Sequence, residues 1–365
     1  MRFSASANLS VTALSQNLET IRRRQPGKRV MAMVKANAYG HGLVEIAQAL
    51  NDVDSLAVAR TEEARMLRDA GIQRPIVLLE GIFDADGLIE ASELACEMVV
   101  HCDEQIDLLC QAPANAAFIV WLKLDSGMNR LGFPIERFES LQDSLRRLSS
   151  VVELRLMTHY ASADESDAHT LRQQIEKMAP VLEAFDGEIS LANSPALMRD
   201  DVDGVAAGQG KHVTWVRPGI SLYGLSPFDN LSAADLGLRP VMNFETRLIA
   251  TKALAPGDRV GYGGRFIATA AMRIGIAAAG YGDGYPRMLP DGTPIMVDGI
   301  ACQLVGRVSM DMLAIDLTPV ADAAVGSHVQ MWGDQLPAET IAKALGTIGY
   351  ELVTRVADRV HRVIR

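Results

Sequence analysis

The chain has 365 residues, enough for one large domain and a smaller companion. Apolar residues make up 48% and charged residues 22%, a globular balance, and a net charge of −10 argues against a nucleic-acid footprint or a basic membrane patch. Met1 to Ser10 holds one arginine and no apolar run, and nothing approaches the roughly 18 apolar residues of a membrane span. The four cysteines, Cys96, Cys102, Cys110 and Cys302, show neither metal-ligand nor disulfide spacing, which fits a reducing compartment. The expectation is a cytoplasmic enzyme or binding protein with no metal site, no nucleic-acid partner and no membrane span.

In chain order, Val11, Leu14, Leu18 and Ile21 mark one face of a helix over 11–24. Strands and helices then alternate. Strands are expected at 30–34, 55–59, 75–79, 97–100, 117–124, 152–159, 188–192 and 213–217. Helices are expected near 43–50, 61–70, 84–92, 103–111, 134–149, 165–185 and 194–200. Thr61, followed by Glu62 and Glu63, reads as a cap with negative charge in the first turn, and Gly71 as the stop. Eight strands alternating with helices is the count of a (β/α)8 barrel, although the pattern alone also allows a doubly wound open sheet. The placement of polar residues favours the barrel, whose chemistry gathers at the C-terminal ends of strands. Lys35 ends the first strand, Arg130 follows the fifth, His159 ends the sixth, Asn193 and Ser194 the seventh, and Arg217 the eighth. The stretch at 204–210 reads as a loop.

After about residue 228 the texture changes. Short apolar or alternating runs at 243–254, 273–279, 294–298, 301–308, 312–317 and 327–332 are separated by Pro256-Gly257, Asp283-Gly284, Asp291-Gly292 and Asp298-Gly299 turns, an all-β signature. A short helix at 337–346 starts at Pro337. The fold class expected is therefore α/β: residues 1–228 as an N-terminal (β/α)8 barrel, then residues 229–365 as a mainly β C-terminal domain.

The most informative stretch is Val30-Met31-Ala32-Met33-Val34-Lys35-Ala36-Asn37-Ala38-Tyr39-Gly40-His41-Gly42. Five apolar residues run into one lysine where the chain leaves the core, and partial desolvation would make Lys35 a nucleophile able to form a Schiff base. Gly40 and Gly42 give room for a turn. On spacing alone an ordinary strand-end cation is the commoner reading of Lys35. Arg130 could clamp a carboxylate or sit in a surface ion pair, and Ser194 could cap a helix or help bind an anion.

The whole string from Lys35 to Gly42 resembles the cofactor-lysine segment of the alanine racemases, pyridoxal-phosphate (PLP) enzymes on a barrel fold. Lys123-Leu124-Asp125-Ser126-Gly127-Met128-Asn129-Arg130-Leu131-Gly132 is similar to a second family segment, with Ser126 where threonine is usual. Trp215-Val216-Arg217-Pro218-Gly219-Ile220-Ser221-Leu222-Tyr223-Gly224 and Val260-Gly261-Tyr262-Gly263-Gly264 resemble two more. Gly280 to Arg287, Val305 to Met312 and Gly349-Tyr350-Glu351-Leu352 also match, with Gly349 departing from the usual residue before the tyrosine. The likeness covers nearly the whole chain.

The resemblance implies interconversion of L- and D-alanine by a two-base mechanism, with PLP held on Lys35 as a Schiff base and D-alanine made as a peptidoglycan precursor. Tyr262 would be the second base and would reach the active site of the other subunit of a homodimer; its phenol, ordinarily near 10, needs cations nearby to act so. Tyr39, Ser194, Gly219, Ile220 and Tyr350 would hold the phosphate, Arg217 the ring nitrogen, and His159 would contact that arginine. Arg130, the Met310 backbone and Asp311 would sit at the substrate carboxylate. Lys123 matches a lysine carbamylated in some members. Asp164, Tyr281, Arg287 and Arg307 would line the entrance. A barrel-plus-β decarboxylase of basic amino acids and a non-catalytic PLP carrier are rivals. No matching decarboxylase cysteine segment is found, and such carriers are usually a barrel alone. Substrate breadth, physiological direction and dimer affinity stay open.

Overall fold

Aliphatic runs without polar alternation suit strands covered on both faces. The computed structural model describes residues 3–113, 115–200 and 213–365. Among them, the strands Arg29–Met33, Ser55–Val58, Ile76–Leu78, Cys96–Val100, Phe118–Asp125, Val151–Met157, Ile189–Asn193 and Val213–Arg217 lie parallel, each beside the next. The eighth returns to the first through Trp215 opposite Arg29 and Val216 opposite Val30, so the sheet closes into the expected barrel. All eight strands stand where the apolar runs put them, within a residue or two at each end.

Residues two apart on a strand face the same way. That rule stacks the barrel interior. Its N-terminal end is plugged by Arg155, whose guanidinium lies 5.3 and 5.4 Å from the rings of Trp121 and Trp215. Buried Glu97 sits 3.2 Å from Arg155 and accepts the Trp121 indole N–H at 2.7 Å; Glu188 accepts that of Trp215 at 2.6 Å. Two residues further along the same faces, Lys123 and Arg217 open toward the C-terminal end. The plug thus closes one end of the barrel and leaves the other for chemistry.

The second sheet runs in the order Met272–Ala277, Leu313–Asp316, Ile300–Val305, Pro294–Val297, His328–Trp332, Met242–Leu254, Ser6–Leu9 and His361–Ile364. Its β character matches the expectation, but it also takes in a strand from the chain's beginning. Ser6–Leu9 pairs antiparallel with Met242–Leu254 and parallel with His361–Ile364. The short helix Ala338–Leu345 follows Pro337, and a second, Gly349–Thr354, was not anticipated.

Two local expectations are corrected, and of the two readings of Ser194 the helix cap is excluded. Helix Thr61–Asp69 begins with Thr61 as its first residue, Arg60 being the cap position, and Glu63 reaches back to accept the amides of Ala59 and Arg60 just ahead of the helix. The cap of helix Ser194–Met198 is Asn193, whose side chain accepts from Ala196 N–H. The helix expected at 134–149 starts as a 3-10 turn at Ile135–Arg137 and becomes α only over Phe138–Arg146, because Phe133–Pro134 first pairs with the strand end at Leu124–Asp125. The loop read at 204–210 lies outside the described residues.

Candidate active site

Lys35 stands where the first barrel strand ends, and the backbone beyond it turns left-handed. Ala36, Asn37, Ala38 and Tyr39 have φ of 53°, 55°, 51° and 52°. Such a conformation costs an L-residue roughly 1–2 kcal/mol, so the turn needs outside support. It receives hydrogen bonds from Ala38 N–H to Val34 O (2.8 Å), Gly42 N–H to Asn37 O (3.0 Å) and Leu43 N–H to Asn37 Oδ1 (2.8 Å). Gly40 packs so closely under helix Gly349–Thr354 that a Cβ there would lie 2.0 Å from Val353 O. That contact brings Tyr350 beside Tyr39, ring centroids 6.1 Å apart, while Tyr223 stacks on Tyr39 at 5.0 Å. The glycines expected to make the turn are present, but four non-glycine residues share its strain.

Opposite this turn, Ser194 is buried, and its Oγ accepts Gly219 N–H at 2.8 Å and meets the Ser221 hydroxyl at 3.1 Å. A Cβ on Gly219 would fall 2.6 Å from Tyr39 Oη. Ser194, Gly219 and the Tyr39 hydroxyl therefore converge on one spot, a cradle that a side chain at 219 would fill.

Arg217 is 4% exposed and ends the eighth strand. Its Nη1 donates to Ser190 O (2.8 Å) and Ser190 Oγ (2.7 Å), its Nη2 to Thr158 O (2.5 Å) and Leu191 O (3.1 Å). These four bonds fix the guanidinium plane and do not use Nε–H. Burial pushes Arg217 down to about 10, against the raising influence of Tyr160, so it stays cationic at neutral pH. His159 is held well below its ordinary value by burial and then by Arg217, Lys123, Arg130 and Lys35, and is neutral. Lys123 is pushed down to about 8 by burial and by Arg217, Arg130 and Lys35, with Asp125 opposing. Lys35 is lowered by burial and Arg130, with Glu80 and Glu63 opposing.

Arg130 comes from a loop folded around Asp125, whose Oδ1 accepts the amides of Gly127, Met128 and Asn129 at 2.8, 2.9 and 3.1 Å. Ser126 is buried in a chain from Gln174 Nε2 through Ser126 Oγ to Thr158 Oγ1 and on to Leu124 O, each step 2.9 Å. The usual threonine hydroxyl is thus matched by the serine's.

Lys35, Lys123, Arg130 and Arg217 share one cleft of about 1840 Å³ with Tyr39, His159, Ser194, Gly219, Ile220, Tyr350 and Asp164. Carboxylates such as Glu80 and Glu339 line the same cleft, but around Lys123 the cations Arg217, Arg130 and Lys35 outweigh Asp125, and an anion bound there would be favoured. Tyr262, Tyr281, Arg287, Met310 and Asp311 line a separate pocket of about 480 Å³ that shares no residue with that cleft. Tyr262 is 69% and Met310 53% exposed. Arg359 spans Asp283 and Asp311 at 2.8 and 2.7 Å and so fixes the Met310–Asp311 turn. Among the described residues the expected site residues thus fall into two separate groups.

The family model described as alanine racemase, N-terminal domain, matches residues 9–227, and that described as alanine racemase, C-terminal domain, matches residues 241–364. The chain belongs to the alanine racemase family. Alanine racemases of Nitrosomonas eutropha and Aeromonas hydrophila are each 44% identical over 357 residues, covering 97% and 98% of both chains respectively. The crystal structure of a biosynthetic alanine racemase from Pseudomonas aeruginosa superposes with a TM-score of 0.93 at 42% identity over all of both chains; the structure of an alanine racemase from Acinetobacter baumannii gives 0.90 at 37% identity, again over all of both chains.

Within this alanine racemase fold, several supporting residues escaped the sequence reading. Ser221 and Tyr223 lie between Trp215 and Gly224, yet nothing in that stretch marks their partners, Ser194 Oγ and Met33 O. Arg359 lies 48 residues from Asp311, and no local pattern joins them. Glu63 read only as first-turn charge.

Proposed function

We propose that the chain is a PLP-dependent alanine racemase working as a homodimer, in which residues 229–365 of one subunit complete the barrel site of the other. The carrying observation is a pair of separate residue clusters: a cleft around Lys35, Lys123, Arg130 and Arg217 in the barrel, and an exposed Tyr262–Met310–Asp311 pocket that shares no lining residue with it among the described residues.

The residues fit the cofactor. Ser194 Oγ, the Gly219 and Ile220 amides, Tyr39 and Tyr350 would hold its phosphate, and Lys35 Nζ would bind it covalently. Arg217, with Nε–H outside its four fixed bonds, would hold the ring nitrogen and, remaining cationic, keep that nitrogen unprotonated. His159, neutral, lies near Arg217 without adding charge. When bound, PLP supplies an electron sink that acidifies the α-hydrogen of an attached amino acid.

Arg130 and the backbone of Met310 of the partner subunit would hold the substrate carboxylate, with Asp311 of the partner subunit beside it. Lys35 Nζ would take or return the proton on one face of the α-carbon, and Tyr262 of the partner subunit would serve the opposite face. Lysine lowered by burial is suited to that exchange near neutral pH. The 42% identity to a biosynthetic enzyme supports D-alanine production, as a peptidoglycan precursor, as the working direction. Cys102 and Cys110, half-buried and exposed free thiols, suit a reducing cytoplasm.

Subunit mixing tests this reading. K35A and Y262F are each expected to be inactive alone, Y262F keeping its cofactor absorbance and K35A losing it. Co-refolded in equal amounts, half the dimers would hold one intact site of two, restoring about a quarter of wild-type activity. Two inactive variants that stay inactive as demonstrated heterodimers would overturn the shared-site reading.

A further inference from the structure

Glu63 has no part in the scheme above, yet it touches the backbone of the residue next to Lys35. It is the third residue of helix Thr61–Asp69. Its Oε1 accepts Ala36 N–H at 2.6 Å, and its Oε2 accepts Ala59 N–H at 2.9 Å and Arg60 N–H at 3.4 Å. One carboxylate thus ties together the exits of the first and second barrel strands. Ala36 is also where the left-handed turn begins, with φ of 53°. As an amide at the start of a helical turn, Ala36 N–H has no carbonyl within the turn to meet, and Glu63 accepts it.

We propose that Glu63 is a positioning residue that fixes Lys35 by clamping the first amide of the left-handed turn; this rests on the reading of Lys35 as the cofactor lysine. The far end of the turn is held independently, by Gly40 under Val353 and by Arg362 Nε donating to Gly40 O at 2.9 Å. Loss of Glu63 therefore frees the Lys35 end and leaves the Tyr39 end anchored. Its negative charge also faces the Lys35 ammonium, together with Glu80 and against Arg130, Lys123 and the neutral His159.

The test compares holoenzyme forms of wild type, E63A, E63Q and E62A. Glu62 is exposed and carries the same first-turn charge, so E62A controls for helix charge alone. Two quantities are read: amide hydrogen exchange over 35–42, and the rate at which the cofactor's visible band is lost on dilution. E63A is expected to speed both by about tenfold or more, the loss of a charge-assisted bond. E63Q, which keeps one carbonyl oxygen for one of the two sides, is expected to lie between, and E62A to match wild type. A role confined to the helix would raise exchange over 61–69 and leave 35–42 and cofactor loss unchanged; that result in E63A and E63Q overturns the proposal. A wild-type protein that takes up no PLP would instead overturn the Lys35 reading, and the exchange over 35–42 would still decide whether Glu63 clamps the turn.

Discussion

Gly219 offers the most direct check on the proposed phosphate cradle. In G219A the new Cβ would stand 2.6 Å from Tyr39 Oη, 3.1 Å from Tyr39 Cζ and 3.6 Å from Met33 Cβ. Ordinary contact begins near 3.4 Å, so something must retreat by about 0.8 Å. Tyr39 cannot do so freely, with Tyr223 stacked on one face and Tyr350 near another edge. If residue 219 yields instead, its amide leaves Ser194 Oγ, now 2.8 Å away. Either way the convergence of Tyr39, Gly219 and Ser194 is broken. Overpacking of this kind costs about 1–3 kcal/mol, and the cost should fall on cofactor binding, weakening it about 5- to 150-fold. Y39F removes the atom nearest the new methyl but leaves the ring carbon at 3.1 Å, so it should relieve the clash in part. The assay is an absorbance titration of PLP into the cofactor-stripped wild type, G219A, Y39F and the double variant. The double variant should lose clearly less than the product of the single losses, a coupling of about 1 kcal/mol or more. G219A binding within twofold of wild type, or strictly multiplicative losses, would refute the cradle.

Two further outcomes follow from the barrel interior. R155A should destabilise the fold by about 3–5 kcal/mol in urea denaturation, because it leaves buried Glu97 without the cation 3.2 Å away, while the cofactor band of the folded protein persists. Lys123 titrates near 8 in the folded chain and near its ordinary 10.5 unfolded, so between those values the unfolded chain binds the extra proton and stability rises with pH. The Tm difference between K123M and wild type, both cofactor-free and in bicarbonate-free buffer, should therefore shift in favour of wild type from pH 8 to 10.5; a constant difference would count against the buried, cation-crowded Lys123.

What the sequence made legible follows from the range over which each feature is encoded. Barrel strands such as Val30–Met33 and Val120–Leu124 are buried on both faces, so their apolar runs announce them locally. Ser6–Leu9 has no such run: it is a strand because Met242–Leu254 and His361–Ile364 lie on either side of it, more than 230 residues away in the chain. Lys35 and Arg217 were found through long contiguous segments. The left-handed turn was not, since Ala36, Asn37 and Ala38 carry no glycine to mark positive φ. The cap read at Thr61 lies one residue earlier, at Arg60, and of the two readings of Ser194 the helix cap falls to Asn193. Glu63 reaches back to satisfy the helix start that Thr61 was expected to serve, and Asn193 caps its helix while Ser194 Oγ is committed to Gly219 and Ser221.

The cations at the barrel's open end contrast with those at its closed end. Arg155 is surrounded by Glu97, Glu153 and Glu188, so its charge is neutralised within the fold and serves the fold. Arg217 is as deeply buried, but its partners are carbonyls and a hydroxyl, and together with Arg130 and Lys35 it pushes the neighbouring Lys123 down. Asp125, the carboxylate closest in sequence, spends Oδ1 on three loop amides. The charge imbalance at this end is thus maintained by the fold, and an anionic ligand relieves it. A phosphate at Ser194 and a carboxylate at Arg130 would each do so, which is why a neutral amine or an uncharged aldehyde would gain little from the same cleft.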